Sequence, residues 1–443
     1  MSRPPNILFL MTDEHRFDFS GFYGHPVVRT PNLDALAESA VIFDNAYCPS
    51  PICIPGRQCM MSGQLPKTCG ALQYGDDLQP NSMTFARRLA QFGYHTVACG
   101  KLHHMGIDQM QGWTRRIAGD THVETRYIDC KNDDAFKANR PPKNLKWTDA
   151  KEIIRAGVGR ARHIAADELT LHGALNFIND YFVDPYYDRA TPDEPLLLKV
   201  SLVQPHYPYI TADEDRFMYY LNRVEPFLNE TVFDHPFLSK KAVVVGKDVT
   251  ERDIRRATAA YCAMIETADE MFGSVIDALS DAGQELDDWM IIYTSDHGEM
   301  LGQHGIWEKQ KFFEASARVP LFIRWPKRFD PRRVSQNVNH CDLFETLCDL
   351  TGIPSVDGLD SRSMSGIMTG NASGWTDESI SHFGKENLMI KRGCLKYQSY
   401  GNAMPEVLFD LAADPGETVN AIGDSKHQAA VASFRKRRAE LGY

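Results

Sequence analysis

No apolar stretch in this 443-residue chain approaches the ~18 residues of a membrane span. The first such run, Ile7–Met11, is too short for the core of a secretory signal, and no small-residue cleavage site follows before Asp13. Excess basic charge is also missing. With 48 Lys and Arg against 59 Asp and Glu, the formal net charge is -11, which argues against nucleic acid as a general partner. It does not exclude an anionic substrate, because a local cation cluster can reverse the field in a cleft. Internal repeats and low-complexity tracts are absent. The expectation is a cytoplasmic protein with no membrane association, whose ten cysteines stay reduced.

What is present has the balance of an ordinary globular chain, 43% hydrophobic and 24% charged. Non-alternating apolar runs at Ile7–Met11, Thr96–Cys99, Leu196–Val203, Met290–Tyr293 and Leu321–Trp325 predict strands buried on both faces. Helical patterns lie between them. The clearest starts at Thr250 with a capping-box-like Asp253 and runs to Leu279, and shorter ones start at Pro31 and Thr84. The spacing predicts an α/β fold: a large, mostly parallel mixed sheet flanked by helices on both faces. Residues 1–354 form the catalytic domain in this reading, with 107–195 as insertions on the substrate side. Residues 355–443 form a small α+β subdomain, with strand signals at Leu388–Lys391 and Cys394–Tyr397 and a final charged helix.

Five polar clusters adjoin these strands and helices. They are Thr12-Asp13-Glu14-His15, Cys53-Ile-Pro55-Gly-Arg57, Gly100-Lys101-Leu-His103-His104, Gln204-Pro-His206, and Ser295-Asp296-His297-Gly298 followed by Lys309. Four of them follow the carboxyl ends of predicted strands, the edge where open α/β sheets bind ligands. Pro55 suits a first helical turn, which puts Cys53 at a helix N-terminus that favours anions. Arg57 can add a charge-assisted bond to an oxyanion. Taken singly, each residue has a plain reading: a buried structural thiol, a turn-capping Asp, a solvated Lys, a hydrogen-bonded His. Together they supply what an anion-cleaving metal site needs. Carboxylates suit hard cations such as Ca²⁺ or Mg²⁺, while imidazole shifts preference toward Mn²⁺.

Cys-x-Pro-x-Arg, with Ser62-Gly63 where many members have Thr-Gly, resembles the signature of the type I sulfatases of the alkaline phosphatase superfamily. Matching stretches run from Asn6-Ile-Leu through Thr30-Pro-Asn-Leu-Asp34 and Ser295-Asp-His-Gly298 to Asp414-Pro-Gly-Glu417, nearly the whole chain. The resemblance implies that Cys53 is oxidised to formylglycine by a formylglycine-generating enzyme, and that the hydrated aldehyde attacks sulfur. It implies one divalent ion, Ca²⁺ first with Mg²⁺ or Mn²⁺ as alternatives, on Asp13, Asp296, His297 and residue 53, with Glu14 as a further candidate. Lys101 and Lys309 would clamp the sulfate, His103 would help break down the covalent hemiacetal sulfate, and His206 would protonate the leaving oxygen. Lys311 competes with Lys309, but the spacing to Glu314 and Arg318 favours Lys309. The sequence departs from the common pattern at Glu14 and His297. Glu314-Ala-Ser-Ala-Arg318 is closer to the choline-sulfatase pattern.

The expected substrate is a small sulfated sugar, aryl or alkyl ester. The alternative is a phosphonate or phosphate mono- or diester, whose anion shares the tetrahedral geometry. A catalytically silent anion binder is the third reading, opposed by the complete polar set. Tyr207 and Tyr209 are placed to stack on a sugar, hold a quaternary ammonium or simply pack. The absence of an extended tail after Tyr443 points away from choline as the alcohol.

Overall fold

The computed structural model describes residues 4–119, 149–182 and 192–443, so the middle of the 107–195 insertion lies outside the described residues. Up to residue 339 the strands are β1 (Ile7–Asp13), β2 (Ala40–Tyr47), β3 (His95–Gly100), β4 (Arg115–Ile117), β5 (Gly157–Val158), β6 (Leu196–Pro205), β7 (Ile210–Thr211), β8 (Met290–Ser295), β9 (Leu321–Arg324) and β10 (Arg332–Asn339). Eight of them form one sheet in the order β10-β2-β9-β8-β1-β6-β3-β4, while β5 pairs with β7 alone. In the large sheet only β9 runs against its neighbours.

The five apolar runs of the sequence are β9, β8, β1, β6 and β3, consecutive members of the sheet. Their lack of alternation has a direct cause. Ile7, Phe9 and Met11 enter one core with Phe85, Leu343 and Phe344, and Leu8 and Leu10 enter the opposite core with Phe177 and Phe272. Helices Phe85–Gln91 and Asp342–Thr351 therefore cover one face, and Arg162–Phe182 and Glu251–Asp281 the other. Thr250 and Asp253 form a complete capping box at the start of the longest helix. The expected fold is the observed one. β2 and β10 escape sequence reading for physical reasons: Asp44-Asn45 interrupts β2, and β10 is an edge strand with exposed polar positions.

Strands β11 (Glu378–Phe383), β12 (Asn387–Arg392), β13 (Leu395–Tyr400) and β14 (Val407–Asp410) form an antiparallel meander near the C-terminus. The final helix, Gln428–Glu440, stacks Phe434 on Tyr397 with centroids 5.5 Å apart. A buried clasp joins this sheet to the short helix Glu314–Ala317 that precedes β9. Lys396 Nζ lies 2.9 Å from Glu314 Oε1 and also contacts Glu417. Burial opposes charge on Glu314, but Lys396 and Arg318 outweigh it and bring the carboxyl down to about 2. At Glu417 burial wins, and the carboxyl is pushed up to about 7. Removing one member of such a cluster typically costs about 3–5 kcal/mol. Among the described residues no helix is long and apolar enough to cross a membrane.

Candidate active site

The carboxyl ends of β1, β3, β6 and β8 deliver Asp13, Lys101, His206 and Asp296 to one place. Gly100 makes the approach close: its φ is 86°, and a Cβ there would stand 2.3 Å from Ser201 O. Lys101 then bonds through its amide to Ser201 O at 2.9 Å, and its Nζ reaches Asp13 Oδ2 at 2.7 Å.

Helix Cys53–Ser62 enters from the other side with all ten residues buried. Cys53 opens it, 2% exposed, with Sγ 3.2 Å from His297 Nε2 and 3.6 Å from Asp13 Oδ1. Asp13, Cys53, Asp296 and His297 each offer a ligand atom, all within 4.8 Å of one another. Nδ1 of His297 donates to Gly298 O at 3.0 Å, which assigns the lone pair to Nε2, facing the group. Burial pushes the Cys53 thiol up to about 12, aided by Asp13, so the unmodified side chain is a poor nucleophile.

Glu14 turns elsewhere. Its φ is 68°, and its Oε2 accepts from Lys309 Nζ at 2.7 Å and lies 3.4 Å from His206 Nε2. It groups with Asp13 and His206 rather than with the Cys53 quartet. Lys309 is bracketed by two more left-handed residues, Glu308 at φ 64° and Gln310 at 77°, and His103 has φ 62°. Strained non-glycine backbone of this kind collects at functional sites.

Arg57 is used differently from the oxyanion role its place at the helix start suggests. Its guanidinium donates to Asp296 Oδ2 at 2.7 Å, Asp13 Oδ2 at 3.0 Å, Lys101 O at 2.7 Å and Ser201 Oγ at 3.0 Å. It is 1% exposed and orients the carboxylates. Burial resists ionisation of Asp13, but Lys101, His206 and Arg57 overcome it and hold the carboxyl well below its usual range.

His206 donates from Nδ1 to Tyr207 O at 2.5 Å, so Nε2 is the acceptor for Lys309 Nζ at 2.8 Å. Burial and then Lys309 keep this imidazole neutral, well below its usual pKa. Lys311 bonds to Phe237 O instead and stands outside this group. His15 bonds to Tyr293 and Phe19, and His104 to Gln109 O; both serve the scaffold.

A cavity of about 580 Å³ opens over the site, lined by Cys53, Lys101, His103, His206 and Lys309. Tyr207 lines it, whereas Tyr209 is buried beside Tyr261 and Trp307. The sequence did not single out Tyr74, Arg155, Arg160, Arg162 and His163, which also line it. Tyr74 comes from a separate turn, and the 155–163 stretch is held at the pocket by the pairing of β5 with β7 and by bonds from Arg256 to Ala156 and from His163 to Ile210.

The family model and the curated relatives define a class, the hydrolases of the alkaline phosphatase superfamily. Within it the chain belongs to the sulfatase family, whose profile matches residues 5–353. A second profile, N-sulphoglucosamine sulphohydrolase, C-terminal, matches residues 302–442. The chain is 30% identical to the choline-sulfatase of Rhizobium meliloti (strain 1021), over 98% of this chain and 86% of that one. It is 28% identical to an arylsulfatase of Clostridium perfringens (strain 13 / Type A), covering 98% and 93%. The phosphonate monoester hydrolase of Agrobacterium radiobacter shares the fold with TM-score 0.78 at 22% identity, over 99% of this chain and 95% of that one.

Proposed function

We propose that the protein hydrolyses a sulfate monoester, using residue 53 as nucleophile after conversion of Cys53 to formylglycine. The supporting observation is the position of Cys53, at a helix start inside a buried donor quartet and open to a cationic pocket. Conversion turns the CH2–SH carbon into an aldehyde with loss of the sulfur as sulfide, a two-electron oxidation of that carbon that requires a separate maturing enzyme and an oxidant such as dioxygen. The hydrated aldehyde supplies one hydroxyl to attack sulfur and a second through which sulfate is later expelled.

The quartet fits a divalent cation: two carboxylates, one imidazole lone pair and residue 53, all buried and mutually close. Such an ion would neutralise charge on the anion and favour the deprotonated nucleophile. The chain's own residues account for the rest. Lys101 and Lys309 bind the sulfate oxygens and stabilise charge as the bond to the alcohol breaks. Arg57 fixes Asp13 and Asp296 so that neither swings toward the substrate. The proton shared between Lys309 Nζ and His206 Nε2 is the one available to the leaving oxygen. His103, which lines the same pocket as Cys53, would take a proton when sulfate departs.

The function-level test compares an aryl sulfate with the matching aryl phosphonate. The sulfate is expected to turn over with the higher kcat/KM; the opposite order would assign the protein to phosphonate esters on the same fold. The leaving-group role has its own test. His206→Ala is expected to slow an alkyl or sugar sulfate by about a hundredfold or more, and nitrophenyl sulfate far less, since a good leaving group needs no acid. Equal losses would make His206 a sulfate-positioning residue.

A further inference from the structure

The pocket holds more positive charge than one sulfate requires. Five Lys and Arg line it, namely Lys101, Lys309, Arg155, Arg160 and Arg162, with no Asp or Glu among the described lining residues. Lys101 and Lys309 are matched beneath the pocket by Asp13 and Glu14, so the excess falls on the arginines. Lys101 and Lys309 belong to the reacting centre, which leaves three arginines without a role there.

All three sit on one segment that the fold holds in place. Gly157 N donates to Tyr209 O and Gly159 N to Thr211 O, both at 2.9 Å, so β5 is tied to the chain just beyond His206. Arg256 donates to Ala156 O at 2.9 Å from the long helix behind. The counter-charges are modest. Arg155 pairs with Glu152 at 2.7 Å, and Arg160, its side chain 80% exposed, stands 3.6 Å from Glu168. Arg162 has no ion pair among the described residues.

A second observation concerns His163, which lines the same cavity and is 4% exposed. Its Nε2 donates to Ile210 O at 3.0 Å, which leaves the Nδ1 lone pair without a partner among the described residues. Burial lowers its pKa to about 4, so it is a neutral acceptor waiting for a donor. A hydroxyl supplies that donor.

We propose that the 155–162 segment forms a second anion subsite, so the alcohol half of the substrate is itself anionic: a hydroxyl-bearing, sugar-like sulfate ester with a further sulfate or carboxylate. This rests on the sulfatase reading for the identity of the transferred group. A quaternary ammonium alcohol would meet repulsion from the same arginines.

The test uses the Cys53→Ala protein and calorimetry with three probes of like size: the dianions para-carboxyphenyl sulfate and para-phenylene disulfate, and the monoanion para-carbamoylphenyl sulfate, whose amide is uncharged. One or both dianions are expected to bind about tenfold tighter than the amide, with the advantage shrinking as salt is raised. Whichever dianion is preferred identifies the second group as carboxylate or sulfate. In an Arg160→Gln/Arg162→Gln background the preference is expected to fall to about twofold or less. Equal affinities for all three probes, or a preference that survives both substitutions, overturns the subsite and leaves the sulfatase reading standing. No binding of any probe overturns both.

Discussion

Cys53→Ala is expected to lose sulfate ester turnover by about ten-thousandfold or more while the protein remains folded, because removing a covalent nucleophile leaves only binding and electrostatics to work with. Little else changes at that position. The lost Sγ contacts Asp13 and His297, and both retain their bonds to Arg57, Lys101 and Gly298. Steady-state kinetics and a thermal melt on the same sample separate lost chemistry from lost structure. Peptide mass spectrometry of unaltered protein, made together with a maturing enzyme, is expected to show residue 53 without its sulfur. A Cys53→Ala protein of normal activity would falsify the mechanism outright.

Exhaustive chelation is expected to lower turnover about a thousandfold, with recovery when Ca²⁺, Mg²⁺ or Mn²⁺ is returned. Asp13 and Asp296 hold carboxylate oxygens within 4.8 Å of His297 Nε2 and residue 53, a buried donor set that suits a hard divalent cation. Elemental analysis supplies a readout independent of activity, with about one divalent ion per chain expected. Asp13→Asn is expected to lower that content, because it removes the carboxylate nearest to both Cys53 and Lys101. Full activity with no metal detected would remove the ion from the mechanism.

The parts of the fold legible in the sequence were those where one force dominates. Strands β1, β3, β6, β8 and β9 are buried on both faces, so hydrophobicity alone marks them. The helix from Thr250 announces itself by its cap. β10 could not be read because its exposed edge imposes little on composition. The site divides the same way. Asp13, Lys101, His206 and Asp296 follow buried strands, and Cys53 and Arg57 sit in a short motif, so both kinds of position were visible. Arg57's partners were not, since four acceptors on or just after four strands converge on it only in three dimensions. Arg160 and His163 belong to a segment whose order comes from hydrogen bonds to a distant stretch, a cause that leaves no periodic trace.

On the proposed conversion of Cys53, the complete burial of helix Cys53–Ser62 would set a timetable for the protein's own making. A maturing enzyme would have to grip the chain on both sides of the thiol. Once the helix is packed between the sheet and its neighbours, no such grip would remain. Conversion and collapse would then be rivals during synthesis, and a nascent molecule that folds first would be locked in as an intact but inert thiol form. The active fraction of any preparation would follow the ratio of two rates, modification against folding, rather than the amount of protein made. Slower synthesis, or a longer unstructured interval, would yield more working enzyme from the same gene.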